Sequence, residues 1–127
     1  MKDLEALASL LDVWNGAPTA AIPSLVSPDY RGHMLHLAEG ERDAAAYPGW
    51  IRAYRDANPS ARFELVERFV AGARVVSRIR ATRTSPDLGL QLANGINISR
   101  LASDGRIAEE WAIWTAWIDA PPGSNLV

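Results

Sequence analysis

The chain has 127 residues, a net charge of −2 and no cysteine. This length suits one domain with its own core, and so small a charge gives no electrostatic reason to expect nucleic acid or a membrane as a partner. The lack of cysteine excludes disulfides, thiolate metal sites and cysteine nucleophiles. Two histidines, His33 and His36, leave little material for a histidine-rich metal site. We expect neither a metal nor a cofactor.

The chain opens without a basic segment followed by an apolar core, and no apolar run approaches the roughly 18 residues of a membrane helix. We therefore expect a cytoplasmic protein. Tryptophan is unusually frequent for so short a chain. Four tryptophans, expected around one cavity or one interface, are Trp14, Trp50, Trp111 and Trp114.

Helical spacing dominates the first 60 residues. Apolar side chains repeat at that spacing over 2–14, and Asn15-Gly16 follows them as a helix C-cap would. The further elements predicted here are a short helix at 19–25, a strand at 29–37, a polar connection at 39–42 and a helix at 43–57, whose regular part begins either near Asp43 or only at Pro48.

After residue 60 the apolar period changes from about 3.6 to about 2, which is typical of strands. The predicted strands span 63–69, 75–84, 89–101 and 106–118, and residues 119–127 form a tail. Helices followed by antiparallel hairpins are typical of an α+β architecture. We expect a single domain over 1–127, mostly helical with one short strand up to residue 60 and stranded from 61 to 118.

The last hairpin has a predictable register. Asp104-Gly105 favours a two-residue turn, which sets Ser103 opposite Arg106. A shift by one residue would place Ile98 against Glu110, whereas the two-residue turn gives one salt-bridged pair and several apolar ones. The expected pairs are Arg100–Glu109, Ile98–Trp111, Ile96–Ile113 and Asn94–Thr115.

Several short motifs occur at defined places in this order. They are Trp14-Asn15-Gly16 after the first helix, residues 27–33 in the first strand, Asn58-Pro59 after the third helix, and Ile98-Ser99-Arg100, Asp104-Gly105-Arg106-Ile107 and Glu109-Glu110-Trp111 in the last hairpin. Over residues 4–118 the chain thereby resembles the SnoaL-like polyketide cyclases of the nuclear transport factor 2-like superfamily. The resemblance implies a cone-shaped curved antiparallel sheet packed against N-terminal helices (a cystatin-like α+β barrel), with an apolar pocket inside and often a dimer through the outer face of the sheet.

The resemblance also has departures. In the cyclases an aspartate four residues after the motif tryptophan is the general acid/base, and the matching position here is Thr115. A Thr-His pair near the end of the long middle strand aligns with Thr84-Ser85. A threonine hydroxyl cannot exchange protons near neutral pH without an activating base. The family's usual reaction is therefore not carried over at these positions.

One face of the last hairpin is the expected cavity wall, because the aligned acid/base position would place it inside the cone. Trp14 and Trp50 would close the pocket from the helices. Alternatively these residues form an ordinary core, with Asn94 and Thr115 bonded to each other. The substrate-binding residues predicted on this face are Asn94, Ile96, Ile98, Trp111, Ile113 and Thr115.

His33 is the first catalytic candidate because the ordinary pKa of histidine suits acid/base work near neutral pH. It alternates with Asp29 and Arg31 along its strand, so a second candidate is Asp29. If this charged face points to solvent instead, His36 and Tyr30 point inward. The third candidate is Tyr54, which could donate to a substrate carbonyl as other tyrosines could.

Three arginines follow one strand. Arg78 and Arg80 share a face and are expected on a solvated surface with Glu64 or Glu67 as partners. The alternative is that a guanidinium anchors an acidic substrate.

The leading hypothesis is an enzyme without cofactor that cyclises, isomerises or dehydrates an apolar carbonyl compound. The alternatives are a non-catalytic binding or dimerisation module and, third, a hydrolase. The expected partners are a small apolar molecule and a second copy of the chain. The residues expected on the dimer face are Ala112, Trp114 and Ala116, with Gly95 and Asn97 beside them.

Overall fold

The computed structural model describes residues 2–121, with side chains from Leu4 onward. Helices and strands follow in the predicted order. The helices are α1 Lys2–Trp14, α2 Ile22–Leu25, preceded by a 3-10 turn at Thr19–Ala21, and α3 Tyr47–Ala57. The strands are β1 Val26–Met34, β2 Glu41–Asp43, β3 Arg62–Ala71, β4 Arg74–Ser85, β5 Gly89–Leu101, β6 Ile107–Trp114 and β7 Ile118–Asp119. This is a mixed α+β fold with an open curved sheet and N-terminal helices, as expected.

Within residues 2–121 the sheet has the order β2-β1-β6-β5-β4-β3, and β7 pairs with β5 beside this path. The sheet is antiparallel, as predicted, at every described pair except one, where β1 and β6 run parallel. A long connection is what parallel neighbours require, and here it contains α3 and four strands, β2 to β5.

The register of the last hairpin is confirmed, since Arg100 pairs with Glu109, Ile98 with Trp111 and Ile96 with Ile113. The turn itself is longer than predicted. Gly105 N–H donates to Ala102 C=O, Ala102 N–H donates to Arg106 C=O, and the register shifts between Arg100 and Leu101. Gly105 has a φ of 88°, so this is a three-residue loop with a glycine in the left-handed region.

Other boundaries differ from the prediction. The strand predicted at 29–37 lies at Val26–Met34, and the polar connection contains the short strand β2. The last long strand ends at Trp114, and Ile118 pairs with Leu92 in a separate strand, β7. The predicted tail lies beyond the described residues from position 122 onward. No helix in the described part of the chain is long and apolar enough to cross a membrane.

The two faces of the sheet differ, and the sequence-based assignment of them is wrong. The inner face, which faces the helices, carries Ser77, Ala93, Gly95, Asn97, Ser99, Glu110, Ala112 and Trp114. The outer face carries Asn94, Ile96, Ile98, Trp111 and Ile113. Ile96 is 42% exposed and Ile113 50% exposed. The most apolar face therefore points away from the cavity.

Space explains why the small residues lie inside. A Cβ atom at Gly95 would overlap the indole ring of Trp114, so the ring lies directly on this glycine. The helices cover the rest of the inner face, where their apolar side chains build the core with β1 and β6. Core residues are Leu7, Leu10, Val13, Ile22, Ile51, Tyr30, Tyr47 and Ile107.

Candidate functional site

A cavity of about 300 Å³ lies between the helices and the inner face. Its wall is mostly apolar and aromatic, as in small-molecule sites. The apolar and aromatic lining includes Leu7, Leu10, Leu11, Trp14, Tyr47, Tyr54, Phe63, Ile79, Ala93, Ala112 and Trp114. The polar lining includes His36, Arg42, Arg68, Ser77, Asn97, Glu110 and Thr115.

Cross-strand pairing places the polar residues in two rows. In the first row Ser99 pairs with Glu110, Glu110 with Gly32, and Gly32 with Arg42. The missing side chain at Gly32 is essential, since a Cβ there would lie 2.8 Å from Arg42 Cζ and 2.6 Å from Tyr30 Oη. Arg42 can therefore cross β1 and approach Glu110.

The second row contains Arg68, Ser77, Asn97 and Ala112, which pair in this order across β3, β4, β5 and β6. Arg68 Nε donates to Ser77 Oγ at 2.8 Å. Burial lowers the pKa of Arg68, and the nearby Glu110 partly opposes this shift. The two rows together bring two guanidinium groups and one carboxylate to the floor of the cavity.

Glu110 is the centre of a buried hydrogen-bond network and is only 1% exposed. Tyr30 donates to its Oε1 at 2.8 Å, and Tyr47 lies 3.5 Å from the same oxygen. Asn97 Nδ2 donates to Oε2 at 3.0 Å, and Ser99 Oγ lies 3.4 Å from it. These donors hold both carboxylate oxygens in one orientation, as a buried charge requires.

Arg42 supplies the opposite charge. Its Nη2 donates to Tyr30 Oη at 3.0 Å and lies 3.9 Å from Glu110 Oε1. Its guanidinium carbon lies 4.2 Å from the centre of the Tyr47 ring and 5.5 Å from that of Trp50. Burial acts to lower the pKa of Arg42, but Tyr47, Tyr30 and Glu110 outweigh it and the pKa is raised.

The two buried tyrosines keep their protons. Burial, followed by the charge of Glu110, raises the pKa of both Tyr30 and Tyr47. Tyr47 Oη also accepts a hydrogen bond from Trp14 Nε1 at 3.1 Å. Its hydroxyl can therefore act as a neutral donor at the cavity wall.

The rim of the cavity contains His36 and Thr115. Trp114 N–H donates to His36 Nδ1 at 3.2 Å, which leaves Nε2 as the second ring nitrogen. Asn94 N–H donates to Thr115 Oγ1 at 2.9 Å, and Thr115 N–H donates to Asn94 C=O at 2.8 Å. Thr115 is thus bonded to Asn94, as the core alternative expected, while it also lines the rim.

The structure separates the predicted catalytic residues. His33 lies on the outer side, where its ring stacks on Trp111 with centres 5.6 Å apart and its nitrogens contact Glu41 and Glu109. Asp29 is exposed and accepts from Ser27 Oγ at 2.8 Å. Their placement in the cavity is wrong, and the alternative in which His36 and Tyr30 point inward is the one observed.

Tyr54 does line the cavity, where it packs edge-on to Trp14. Burial raises its pKa, while Arg83 and Trp117 partly oppose this rise.

Among the predicted substrate-binding residues, Trp14 and Thr115 line the cavity, and Trp50 lies behind Arg42. The residues whose predicted place in the cavity is wrong are Asn94, Ile96, Ile98, Trp111 and Ile113, because β5 and β6 turn them to the outer face. The predicted place of Ala112, Trp114 and Ala116 on an outer dimer face is also wrong, because these residues line the cavity. Arg78 and Arg80 pair with Glu67 and Glu64, as the solvated alternative expected.

Glu110, Arg42 and Arg68 are the functional candidates that the sequence analysis missed. A signal for Glu110 existed, because the predicted register already grouped it with Ser99, Asn97 and Gly95 on one face. This grouping identifies the set of residues, but the strand pattern alone does not say that the helices cover their face. Arg42 had no comparable signal, because its position depends on a short strand without a β pattern. Within residues 2–121 no group of three or more His, Asp or Glu side chains is arranged to hold a metal ion.

Comparison with known proteins agrees with this fold. The candidate polyketide cyclase IdmH from Streptomyces antibioticus is 22% identical, with a TM-score of 0.75 over 90% of this chain and 92% of that one. A candidate polyketide cyclase from Acidithiobacillus ferrooxidans is 22% identical, with a TM-score of 0.72 over 90% of this chain and 88% of that one. A candidate isomerase of the SnoaL-like family from Agrobacterium tumefaciens is 20% identical, with a TM-score of 0.72 over 91% and 98%. At these identities the likeness concerns the fold.

No curated protein matches this chain in sequence. The model of the SnoaL-like domain matches residues 7–110, which include the strands β1 to β5, the helix α3 and the start of β6 as far as Glu110. The chain belongs to the SnoaL-like family.

Proposed function

We propose that the protein is an enzyme that moves a proton on an apolar carbonyl compound in the cavity, without a cofactor. Cyclisation, isomerisation and dehydration are reactions of this kind. The observation that carries the proposal is a buried carboxylate, Glu110, at the floor of a mostly apolar cavity. The names of the neighbours from Acidithiobacillus and Agrobacterium, a candidate cyclase and a candidate isomerase, agree with such chemistry.

Glu110 is the proposed proton acceptor. Tyr30, Asn97 and Ser99 orient it, so the base is positioned before a substrate enters. The electron pair of the broken C–H bond moves into the carbonyl group, whose oxygen becomes negative. Tyr47 is the proposed donor to that oxygen, because it keeps its proton and its 3.5 Å contact with Glu110 is at the limit of a hydrogen bond.

The test is exchange of the α protons of 2-tetralone, a bicyclic enolisable ketone, in D₂O. We expect the wild-type protein to accelerate exchange, and Glu110→Gln to lose about 10²- to 10⁴-fold of this rate, as for a general base. Glu109→Gln is the matched control, because Glu109 is adjacent on β6 but bonds His33 and Arg100 on the other side. Exchange that survives in Glu110→Gln would contradict the role of this carboxylate.

A non-catalytic binding module is the second candidate. The observation in its favour is Thr115, which occupies the position of the family's catalytic aspartate and whose hydroxyl accepts a hydrogen bond from Asn94. Calorimetry that detects 2-tetralone binding to a wild-type protein without exchange activity would favour this candidate over the enzyme.

A homodimer through the outer face is proposed as well. Phe69, Val76, Ile98 and Trp111 pair in one row across four strands, and Ile96 pairs with Ile113 beside this row on the same face. An apolar patch that a monomer would leave in water supports a contact, and a second copy offers the same patch. A place in the cytoplasm stays a prediction.

A further inference from the structure

The charges that line the cavity do not balance. Apart from the rim histidine, the charged side chains in its described lining are Arg42, Arg68 and Glu110. The side chain of Arg42 is 3% exposed and that of Glu110 is 1% exposed. Two guanidinium groups stay protonated at any ordinary pH, so they leave one positive charge in excess over the single carboxylate. A charge in so apolar a place favours a partner of opposite sign.

Arg42 also has donors that the described protein does not use. Among the described residues, only Nη2 has a hydrogen-bond acceptor, the hydroxyl of Tyr30. Nε and Nη1 are buried without an acceptor among the described residues. The rings of Tyr47 and Trp50 that stack near the guanidinium offer none. Buried donors without a partner are rare in native proteins and call for an explanation, and Arg42 is one of the residues that line the cavity.

We propose that the cavity binds an apolar carboxylate, which Arg42 anchors through its free N–H groups. One carboxylate brings the cavity to neutrality, with two guanidinium groups against Glu110 and the ligand. Arg68 contributes charge from the neighbouring row, while its Nε remains on Ser77. This inference deepens the proposed function, on which it rests for the cavity, by making the substrate a keto acid.

The arrangement gives each charged group a separate role. Glu110 is already surrounded by hydroxyl and amide donors, so it does not need a full ion pair with Arg42. The 3.9 Å separation from Nη2 agrees with this, because it exceeds hydrogen-bond length. Arg42 therefore retains two donors for a ligand, although it stands next to a carboxylate.

The test compares two probes of similar shape, 2-naphthoate and the neutral ketone 2-acetonaphthone, by titration calorimetry. We expect the wild-type protein to bind 2-naphthoate at least about tenfold more tightly than the ketone. Arg42→Gln should remove most of this preference and change the ketone affinity by less than about threefold. Arg80→Gln is the control, because Arg80 pairs with Glu64 outside the cavity lining.

Glu110→Gln keeps Arg42 and removes a negative charge, so it should change the affinity for 2-naphthoate in the opposite direction from Arg42→Gln. This variant tests the inference even if Arg42→Gln does not fold. Loss of the resident negative charge should strengthen 2-naphthoate binding. Equal affinity for the two probes in the wild-type protein, or an unchanged preference in Glu110→Gln, would overturn the inference. Binding needs no turnover, so the two proposals can fail separately. A preference for 2-naphthoate without 2-tetralone exchange would leave the anion site standing without support for the enzyme. Exchange of 2-tetralone without a preference for 2-naphthoate would support the enzyme and overturn the anion site.

Discussion

The inner and outer faces of the sheet differ in which side chains they bury: polar and charged groups are buried on the inner face, whereas large apolar groups are exposed on the outer face. On the inner face a buried ionised network is surrounded by glycine and alanine, and Glu110 is 1% exposed. On the outer face large apolar side chains stand in the open, and Ile113 is 50% exposed. Neighbouring residues of β6 therefore differ sharply in exposure, as Ala112 at 5% and Ile113 at 50% show. An alternating strand predicts two faces but does not say which of them is covered.

The difference has a physical origin. A cavity requires volume that side chains do not fill, so small residues occupy the wall and a few large aromatics define its shape. Polar groups can be buried there because each of them has partners on neighbouring strands. Apolar residues are then left for the outer face, where a second chain can cover them.

The largest expected effect concerns the outer face. Ile113→Glu should convert a dimer, with twice the 13.8 kDa mass of one chain, into a monomer, because it introduces a charge into the apolar patch on the outer face. Sedimentation at about 100 μM measures the mass, since an interface of ordinary size binds more tightly than that. Leu88→Glu, at an exposed turn, is the control and should stay dimeric. A wild-type monomer would defeat the proposal.

On the inner face, Gly95→Ala should destabilise the protein by about 1–3 kcal/mol, because the new methyl group overlaps the Trp114 ring. Chemical denaturation measures the free energy of unfolding. Gly49→Ala is the matched control in α3, where a Cβ would meet only Arg52 at 4.0 Å. This control should leave stability unchanged or raise it by up to about 1 kcal/mol. Equal effects of the two substitutions would mean that Trp114 does not lie on Gly95.

A smaller effect is expected for His33→Ala. Its ring stacks on Trp111 and contacts two partly exposed carboxylates, so its loss should cost about 0.2–1 kcal/mol. The 2-tetralone exchange rate and probe binding should stay unchanged, because His33 lies outside the cavity. Loss of either property at unchanged stability would return His33 to the list of site residues.

The smallest effect is a pH dependence on the outer face. The hydrogen bond from His33, and then that from Arg100, lowers the pKa of Glu109 below its usual 4.5. A lowered pKa in the folded state means that the stabilisation is present above pH 4.5 and is lost as the pH falls through the folded-state value. The Tm difference between the wild-type protein and Glu109→Gln should therefore shrink on acidification to about pH 3. A difference that grows on acidification would contradict the shift.

The predictable part of the fold is the part that local sequence controls. The register of the last hairpin could be predicted because the cross-strand pairs discriminate between alternatives, and the register shift beside the turn offsets its extra residue. The strand β2 could not, because Glu41-Arg42-Asp43 has no apolar alternation and forms a strand only against β1. The parallel pairing of β1 with β6 has no local signal either.

The site was predicted less well than the fold. The error lies in one assumption, that the more apolar face of β5 and β6 points inward, and it misplaced Ile96, Ile113 and Trp114 together. The sequence could not predict Arg42 as a site residue, because its approach to Glu110 depends on the space left by Gly32. Gly32 is beside Arg42 only because β1 pairs with β2. Placing a side chain in this cavity needs the order of the strands as well as their pattern.

The pairing of β1 with β6 has a consequence for the synthesis of the protein. Tyr30 and Glu110 are 80 residues apart in sequence and meet only through this pairing. Contacts of such separation form slowly, because a long loop must close before they stabilise anything. While β6 is still inside the ribosome, the part of the chain that has emerged contains Tyr30 and Arg42 but not Glu110, the carboxylate that they contact in the folded protein. The polar floor of the cavity is therefore among the last features to form, and a chain cut short before residue 110 lacks Glu110 altogether.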